Sequence, residues 1–225
     1  GMKQTKRIRL LCGQLAACET FADVGCDHGY CTQYMLEENL CRRAVVSDIS
    51  AGSLSKAEKL LSAYIAAGRV MPVCCPGLEK IPKCTEQVLI AGMGGEEILN
   101  ILREGFLPPA LVLQPMRHAP KVRAYLLEQG YSIVRDFTFF DGKFYDVLRA
   151  EFPAYRGAAV GSYGERELIF GYDNIHSPSP DFLQMLEEEM RKCRARLAAA
   201  QKPVPAVEEK LRRITEVYHD LARSI

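Results

Sequence analysis

The chain has 225 residues, with 29 Lys and Arg against 28 Asp and Glu, a formal charge of +1 and 48% hydrophobic residues. That length holds one α/β domain with an appendage, or two modest domains, and the balanced charge excludes a global basic field, so any nucleic-acid surface must be a local patch. No run approaches the about 18 apolar residues of a membrane span, and the Lys/Arg-rich start has no apolar signal core. The 9 cysteines form no C-x-x-C pair. They fit reduced thiols in a cytoplasmic protein better than disulfides or zinc, and neither a metal nor a membrane is expected.

In chain order, apolar and basic residues at helical spacing predict a leading helix over 4–18, with Ile8, Leu11 and Leu15 on one face. A buried strand over 20–24 then runs into a glycine-containing loop and a helix over 30–39. The pattern recurs: strand 44–49 and helix 53–67, strand 70–74, strand 87–91 and helix 96–104, strand 110–114 and helix 119–129. Strands alternating with helices imply a parallel sheet covered on both faces. After Gly130 the pattern changes to two β-rich runs, 131–140 and 143–152, separated by Asp141-Gly142, a strong hairpin signal. Residues 154–180 are rich in Gly, Tyr, Ser and Pro and read as a linker with partial structure. Beyond it Leu183, Leu186, Met190, Cys193 and Leu197, then Val207, Leu211, Ile214, Tyr218 and Leu221, form two coiled-coil seams interrupted by Pro203 and Pro205. Two antiparallel helices joined at 201–205 follow. The expected division is 1–153 as a ligand-binding α/β domain and 154–225 as linker and helical hairpin.

Ligands of doubly wound sheets sit beyond the carboxyl ends of the strands. After the first strand comes Asp23-Val24-Gly25-Cys26-Asp27-His28-Gly29-Tyr30. Gly25 and Gly29 permit a tight turn, and Asp27 stands where an acid-x-Gly-x-Gly-x-Gly loop has its middle glycine. Asp tolerates a left-handed backbone, so the loop survives while gaining a carboxylate; an ordinary turn with Asp27 as helix cap is the alternative. Asp48 ends the second strand, where a carboxylate can accept the hydroxyls of an adenosine ribose. Ala91-Gly92-Met93-Gly94-Gly95 follows the fourth strand and suits close approach of a flat group. Gln114-Pro115 ends the fifth, its amide carrying both donor and acceptor for a base, while His118 reads as a helix-start residue. Five strand–helix units closed by an antiparallel hairpin are the inventory of a class I methyltransferase, a Rossmann-like seven-stranded sheet, here with a C-terminal coiled-coil hairpin.

These segments, in this order, resemble one family, the bacterial tRNA adenine-22 N1-methyltransferases. The resemblance rests on Asp-Val-Gly-Cys-Asp-His-Gly-Tyr, Ile-Ala-Gly-Met-Gly-Gly, Leu-Val-Leu-Gln-Pro and the Asp141-Gly142-Lys143-Phe144-Tyr145 hairpin, and runs into the helical tail. It implies methyl transfer from S-adenosylmethionine, leaving S-adenosylhomocysteine, to N1 of an adenine in the D-arm of tRNA, with Asp27 as the catalytic carboxylate. It further implies a cofactor site of Asp23, Gly25, Cys26, Gly29, Tyr30, Asp48, Ile49, Gly77, Leu78, Ala91, Gly92 and Met93. The implied substrate site comprises His28, Gly94, Gly95, Gln114, Pro115, Arg117, Lys6, Arg7 and Arg9. Two positions depart from the family pattern: Met116 stands where Asn usually follows Gln-Pro, and Cys75-Pro76-Gly77-Leu78 replaces Gly-Asp-Gly-Leu, removing a carboxylate.

Lys3, Lys6, Arg7 and Arg9, and a second group of Arg191, Lys192, Arg194, Arg196 and Lys202, could grip tRNA phosphates. The acidic neighbours of the second group also fit a solvated coiled-coil face. The chain is expected as a monomer or homodimer. Methylation of another RNA or a small molecule, or a cofactor- or tRNA-binding module without turnover, are the alternatives.

Overall fold

The computed structural model describes residues 5–157 and 161–223. Five parallel strands come first: β1 (Cys18–Val24), β2 (Cys41–Asp48), β3 (Val70–Cys74), β4 (Gln87–Met93) and β5 (Ala110–Pro115). Around them lie α1 (Lys6–Gln14), α2 (Tyr30–Glu37), α3 (Ala51–Leu60), α4 (Ser62–Ala66), α5 (Gly95–Glu104) and α6 (Ala119–Glu128). The hairpin of β6 (Ser132–Phe140) and β7 (Phe144–Glu151) closes the sheet, β7 running antiparallel to both neighbours in the order β3-β2-β1-β4-β5-β7-β6. This is the expected Rossmann-like sheet of seven strands. Side chains alternate between two cores: Phe21 faces the layer of α1, α2 and α3, whereas Ala22 and Val24 face that of α5 and α6.

Boundaries differ from expectation where tertiary contacts override local pattern. Thr5 caps α1 by accepting the Ile8 N–H at 3.2 Å. The helix ends at Gln14 instead of running to Cys18, because the Gln87 side chain takes both the N–H and the C=O of Ala16 and so holds the crossing to the sheet extended. Cys18 opens β1 instead. The single helix expected over 53–67 is broken at Leu61, a fully buried residue seated beside the turn at Gly29.

Beyond β7 the chain folds into α7 (Pro153–Arg156), α8 (Glu165–Phe170), α9 (Tyr172–His176), α10 (Pro180–Ala199) and α11 (Pro205–Ala222). Residues 158–160 of the expected linker lie outside the described residues. The rest of it holds α8, which packs on α6, and α9, which together with the start of α10 covers the edge strand β6. Asp173 accepts the Asp136 N–H at 2.7 Å, Asn174 that of Thr138 at 3.1 Å and Asp181 that of Phe140 at 2.9 Å, so alternate N–H groups of β6 end on side chains and the edge offers no row of free donors. α10 and α11 pack antiparallel over a core of Phe182, Leu186, Met190, Ile214, Val217 and Leu221. Phe182 takes the fully buried position expected of Leu183, because the start of α10 packs on Phe170 as well as on α11. Among the described residues no helix is long and apolar enough to cross a membrane.

Candidate active site

The chain runs from β1 outward through β2 and β3, then returns to place β4 on the other side of β1. Loops leaving β1 and β4 therefore diverge, opening a crevice at the carboxyl ends of the strands. The β1 loop has three residues at positive φ: Gly25 at 70°, Asp27 at 46° and Gly29 at 84°. The N–H groups of Gly25 and Cys26 both donate to the Ser47 carbonyl, at 2.8 and 2.9 Å, tying the loop to β2. A side chain at Gly29 would stand 3.1 Å from the Ala57 Cβ, so the closeness of α3 as well as the backbone requires glycine.

Asp27 presents its carboxylate outward, its side chain 59% exposed, with His28 Nδ1 at 3.0 Å from one oxygen and Lys56 Nζ at 3.6 Å from the other. The His28 ring stacks on Tyr30 at 5.1 Å. Asp27 donates its own N–H to Asp48 Oδ2 at 3.3 Å, and Ser50 N–H donates to Asp48 Oδ1 at 3.0 Å, so the backbone orients the Asp48 carboxylate.

Two hollows meet at Gly25. The apolar one, of about 280 Å³, is lined by Val24, Ile49, Met93 and Ile101, with Asp48, Pro76 and Gly77 on its rim. The polar one, of about 240 Å³, is lined by Arg7, Asp23, Asp27, His28, Tyr30 and Ala91 among others, with Cys26 and Gly29 in its wall. Asp23 is buried there and accepts from Thr32 Oγ1 at 3.1 Å. Burial lifts its carboxyl to about 7, the Thr32 hydroxyl opposes this, and the neighbouring charges of Asp48 and Asp27 add to it. Burial likewise pushes the Cys26 thiol up, leaving it an inert wall residue.

Several expected site residues lie elsewhere or are already engaged. Leu78 is 4% exposed in the core beneath α5 and is absent from the lining of the apolar hollow, whose wall at that point is Ile101 of α5. Gln114 is fully buried and its Oε1 accepts two N–H bonds from Arg7, so the amide does not keep both functions free for a base. Arg7 belongs to the crevice and is not a free surface cation: its guanidinium also lies 5.2 Å over the Tyr145 ring, and its N–H donates to Asp141 Oδ2 at 3.0 Å. Lys6 is paired with Asp181 at 3.0 Å, Arg9 and Arg117 are exposed, and Lys3 lies outside the described residues. The loops after β4 and β5 are zipped together by Met116 N–H on Met93 O and Gly95 N–H on Arg117 O, both at 2.8 Å. Gly95 answers to that packing, since a Cβ there would stand 2.6 Å from the Arg117 carbonyl, whereas beside Gly94 the nearest atom is Arg117 Nε at 3.6 Å. At Gly92, φ is 77° and a Cβ would stand 3.0 Å from Arg7 Nη2; Pro115 is buried at the end of β5, paired with Met93. Sequence reasoning missed Ile101, Glu97 and Asn100, which line the apolar hollow from α5, and Tyr145; only their place one helix or hairpin away from the glycine segments hinted at them.

A doubly wound sheet closed by an inserted antiparallel hairpin, with a glycine-turned crevice and a carboxylate at each of its first two strand ends, defines a Rossmann-like methyltransferase fold. Residues 4–148 match the model of the methyltransferase-domain family, and the chain belongs to that family. It is 30% identical over 156 residues to the tRNA (adenine(22)-N(1))-methyltransferase of Bacillus subtilis, a match covering 67% of this chain and 66%, just under two thirds, of that protein. Sp1610 of Streptococcus pneumoniae, solved in complex with S-adenosyl-L-methionine, is 26% identical with a TM-score of 0.84, covering 96% of this chain and 100% of the other. TrmK of M. capricolum, solved with S-adenosyl-homocysteine, is 19% identical with a TM-score of 0.84, covering 98% and 99%, and shares the fold.

Proposed function

We propose that the chain transfers a methyl group from S-adenosylmethionine to N1 of adenine 22 in the D-arm of tRNA, in the cytoplasm. The observation that carries this reading is the Asp27 carboxylate, held in a left-handed turn at the lip of the crevice; it is supported by the likeness over two thirds of the chain to the Bacillus subtilis enzyme and by the fold shared with Sp1610 over 96% of it. The residues suit the cofactor: the hollow of Ile49, Met93 and Ile101 fits a purine, and Asp48, with each oxygen holding one backbone N–H, keeps lone pairs for ribose hydroxyls. Asp23 suits a nearby ammonium group. When bound, the cofactor supplies an electrophilic methyl on a sulfonium. Adenine N1 carries its own lone pair, so once the base is flipped out no strong base must act first. Asp27 accepts a hydrogen bond from the exocyclic amine, enriching N1, and is placed to take that amine's proton afterwards, while His28 holds the carboxylate. Residues 1–153 form the catalytic unit and 154–225 a helical unit, with exposed Arg194 and Arg196 available to tRNA phosphates.

Incubation of the protein with labelled cofactor and unmodified tRNA tests this reading. Incorporation approaching one methyl per tRNA is expected. Tight cofactor binding with no incorporation would point to a binding module, and label entering only another acceptor to a different substrate.

Asp23 gives the cofactor site a pH dependence of definite sign. Its carboxyl, lifted to about 7, is mostly protonated at pH 6 and mostly ionised at pH 8. An ammonium partner favours the ionised form, so binding releases a proton and strengthens as pH rises through 7. Calorimetry with S-adenosylhomocysteine is expected to give a Kd roughly tenfold weaker at pH 6 than at pH 8. In Asp23→Asn that difference shrinks to whatever the ligand's own titration contributes; an unchanged difference would remove Asp23 from the contact.

A further inference from the structure

Gln114, next to last in β5, has a fully buried side chain whose amide has two unlike ends, an acceptor oxygen and a donor NH2. Arg7 decides which end faces which way. A guanidinium has only donors, and Arg7 sets two of them on one oxygen, Nε at 3.2 Å and Nη2 at 2.9 Å from Gln114 Oε1. Turning the amide over would oppose donors to donors, so Oε1 is consumed by Arg7 and the NH2 is the end left over. Its present partners are poor: the Pro115 carbonyl at 3.4 Å and the Met116 sulfur at 3.2 Å, a weak acceptor. The NH2 has no solvent access while the exposed Met116 side chain caps it, so a purine ring nitrogen, a better acceptor, reaches it where that flexible side chain swings aside. Arg7 is itself held on three sides, by the Tyr145 ring 5.2 Å away, by Asp141 on its backbone N–H, and by the anchoring of the adjacent Lys6 on Asp181. It also lines the same hollow as Asp23 and Asp27.

The geometry points to Arg7 as a positioning residue that fixes Gln114 as a donor-only contact to the target purine, aimed at a ring nitrogen other than the one methylated. This rests on the reading under Proposed function and adds a division of labour to it. A donor cannot pair with the exocyclic amine, which is left to Asp27, whereas N7 and N3 of the purine are bare acceptors. Recognition is then split between a carboxylate that reads the amine and an amide that reads the ring. Lys at position 7 would not substitute fully, because its ammonium is a point charge on a flexible stem and lacks the planar pair of donors.

The test couples protein to substrate. tRNA is prepared with 7-deazaadenosine or 3-deazaadenosine at the methylated position, each lacking one ring acceptor, and kcat/KM is measured with wild-type protein, Arg7→Met, Arg7→Lys and Gln114→Glu. With wild-type protein one deaza substrate is expected to react roughly tenfold more slowly than natural tRNA. Arg7→Met and Gln114→Glu are expected to lose a similar factor on natural tRNA, Arg7→Lys a smaller one, and both severe variants to treat that deaza substrate and natural tRNA alike. Gln114→Glu keeps an acceptor for Arg7, so its result stands even where Arg7→Met folds poorly. Losses that simply multiply, or neither deaza substrate being impaired, would overturn the inference. Wild-type protein that methylates no tRNA at all would overturn the reading beneath it instead, an outcome seen in the natural-tRNA control.

Discussion

Asp27→Asn is expected to lower kcat for tRNA methylation by about 100-fold or more while cofactor affinity stays within about twofold of wild type. Asn adopts the left-handed backbone as readily as Asp and keeps the N–H that donates to Asp48, so the loop geometry survives the change. The carboxylate makes only exposed contacts, to His28 and Lys56, and its removal has little stability to forfeit. What is lost is a charge that accepts from the adenine amine. Single-turnover methylation, with cofactor Kd measured alongside, separates the two readings of the residue. A wild-type rate in Asp27→Asn would leave Asp27 as an ordinary turn residue.

The second large effect concerns stability. Arg123 of α6 is 1% exposed, and it binds Asp136 of β6 at 2.8 Å and the carbonyls of Leu168 and Ile169 in α8, each at 3.1 Å. Burial pushes the Asp136 carboxyl up and Arg123 pulls it down, with the Tyr163 hydroxyl donating at 2.9 Å. One cation thus fastens the sheet edge to the helical tail. Arg123→Met would leave a buried carboxylate with an unmet charge and two helix-end carbonyls unpaired, a loss of about 3–5 kcal/mol. Chemical denaturation should show it as a lower midpoint, and Arg123→Met with Asp136→Asn should recover part of it, since the stranded charge is gone. A double variant no more stable than Arg123→Met alone would mean that the carbonyls of α8, and not the ion pair, carry the effect.

The parallel core was legible because its strands are short apolar runs stopped by turn residues, and the glycine spacing of the first loop announced a backbone that does turn left-handed at Gly25, Asp27 and Gly29. The misread parts depend on partners far along the chain. Nothing near Ala16 says that Gln87 will straighten it, so Cys18 looked helical. The stretch around Asp173 and Asn174 has loop composition, and its helices are held by the edge of β6 some 36 or 37 residues away, which no local periodicity encodes. Arg7 sat among cations and read as a phosphate contact; its engagement with Gln114, 107 residues on, is a product of topology. Leu78 followed glycine in the right loop, yet the turn at Gly77 sends it into the core and leaves the wall to Ile101.

The most direct measurement is primer extension on tRNA treated with the protein and S-adenosylmethionine, because a methyl on adenine N1 blocks base pairing and halts the polymerase. One new stop at position 22, absent when that adenine is replaced by guanine and absent with Asp27→Asn over the same interval, is the predicted result. Methyl incorporation without a stop at position 22, or with stops at another base, would contradict the account.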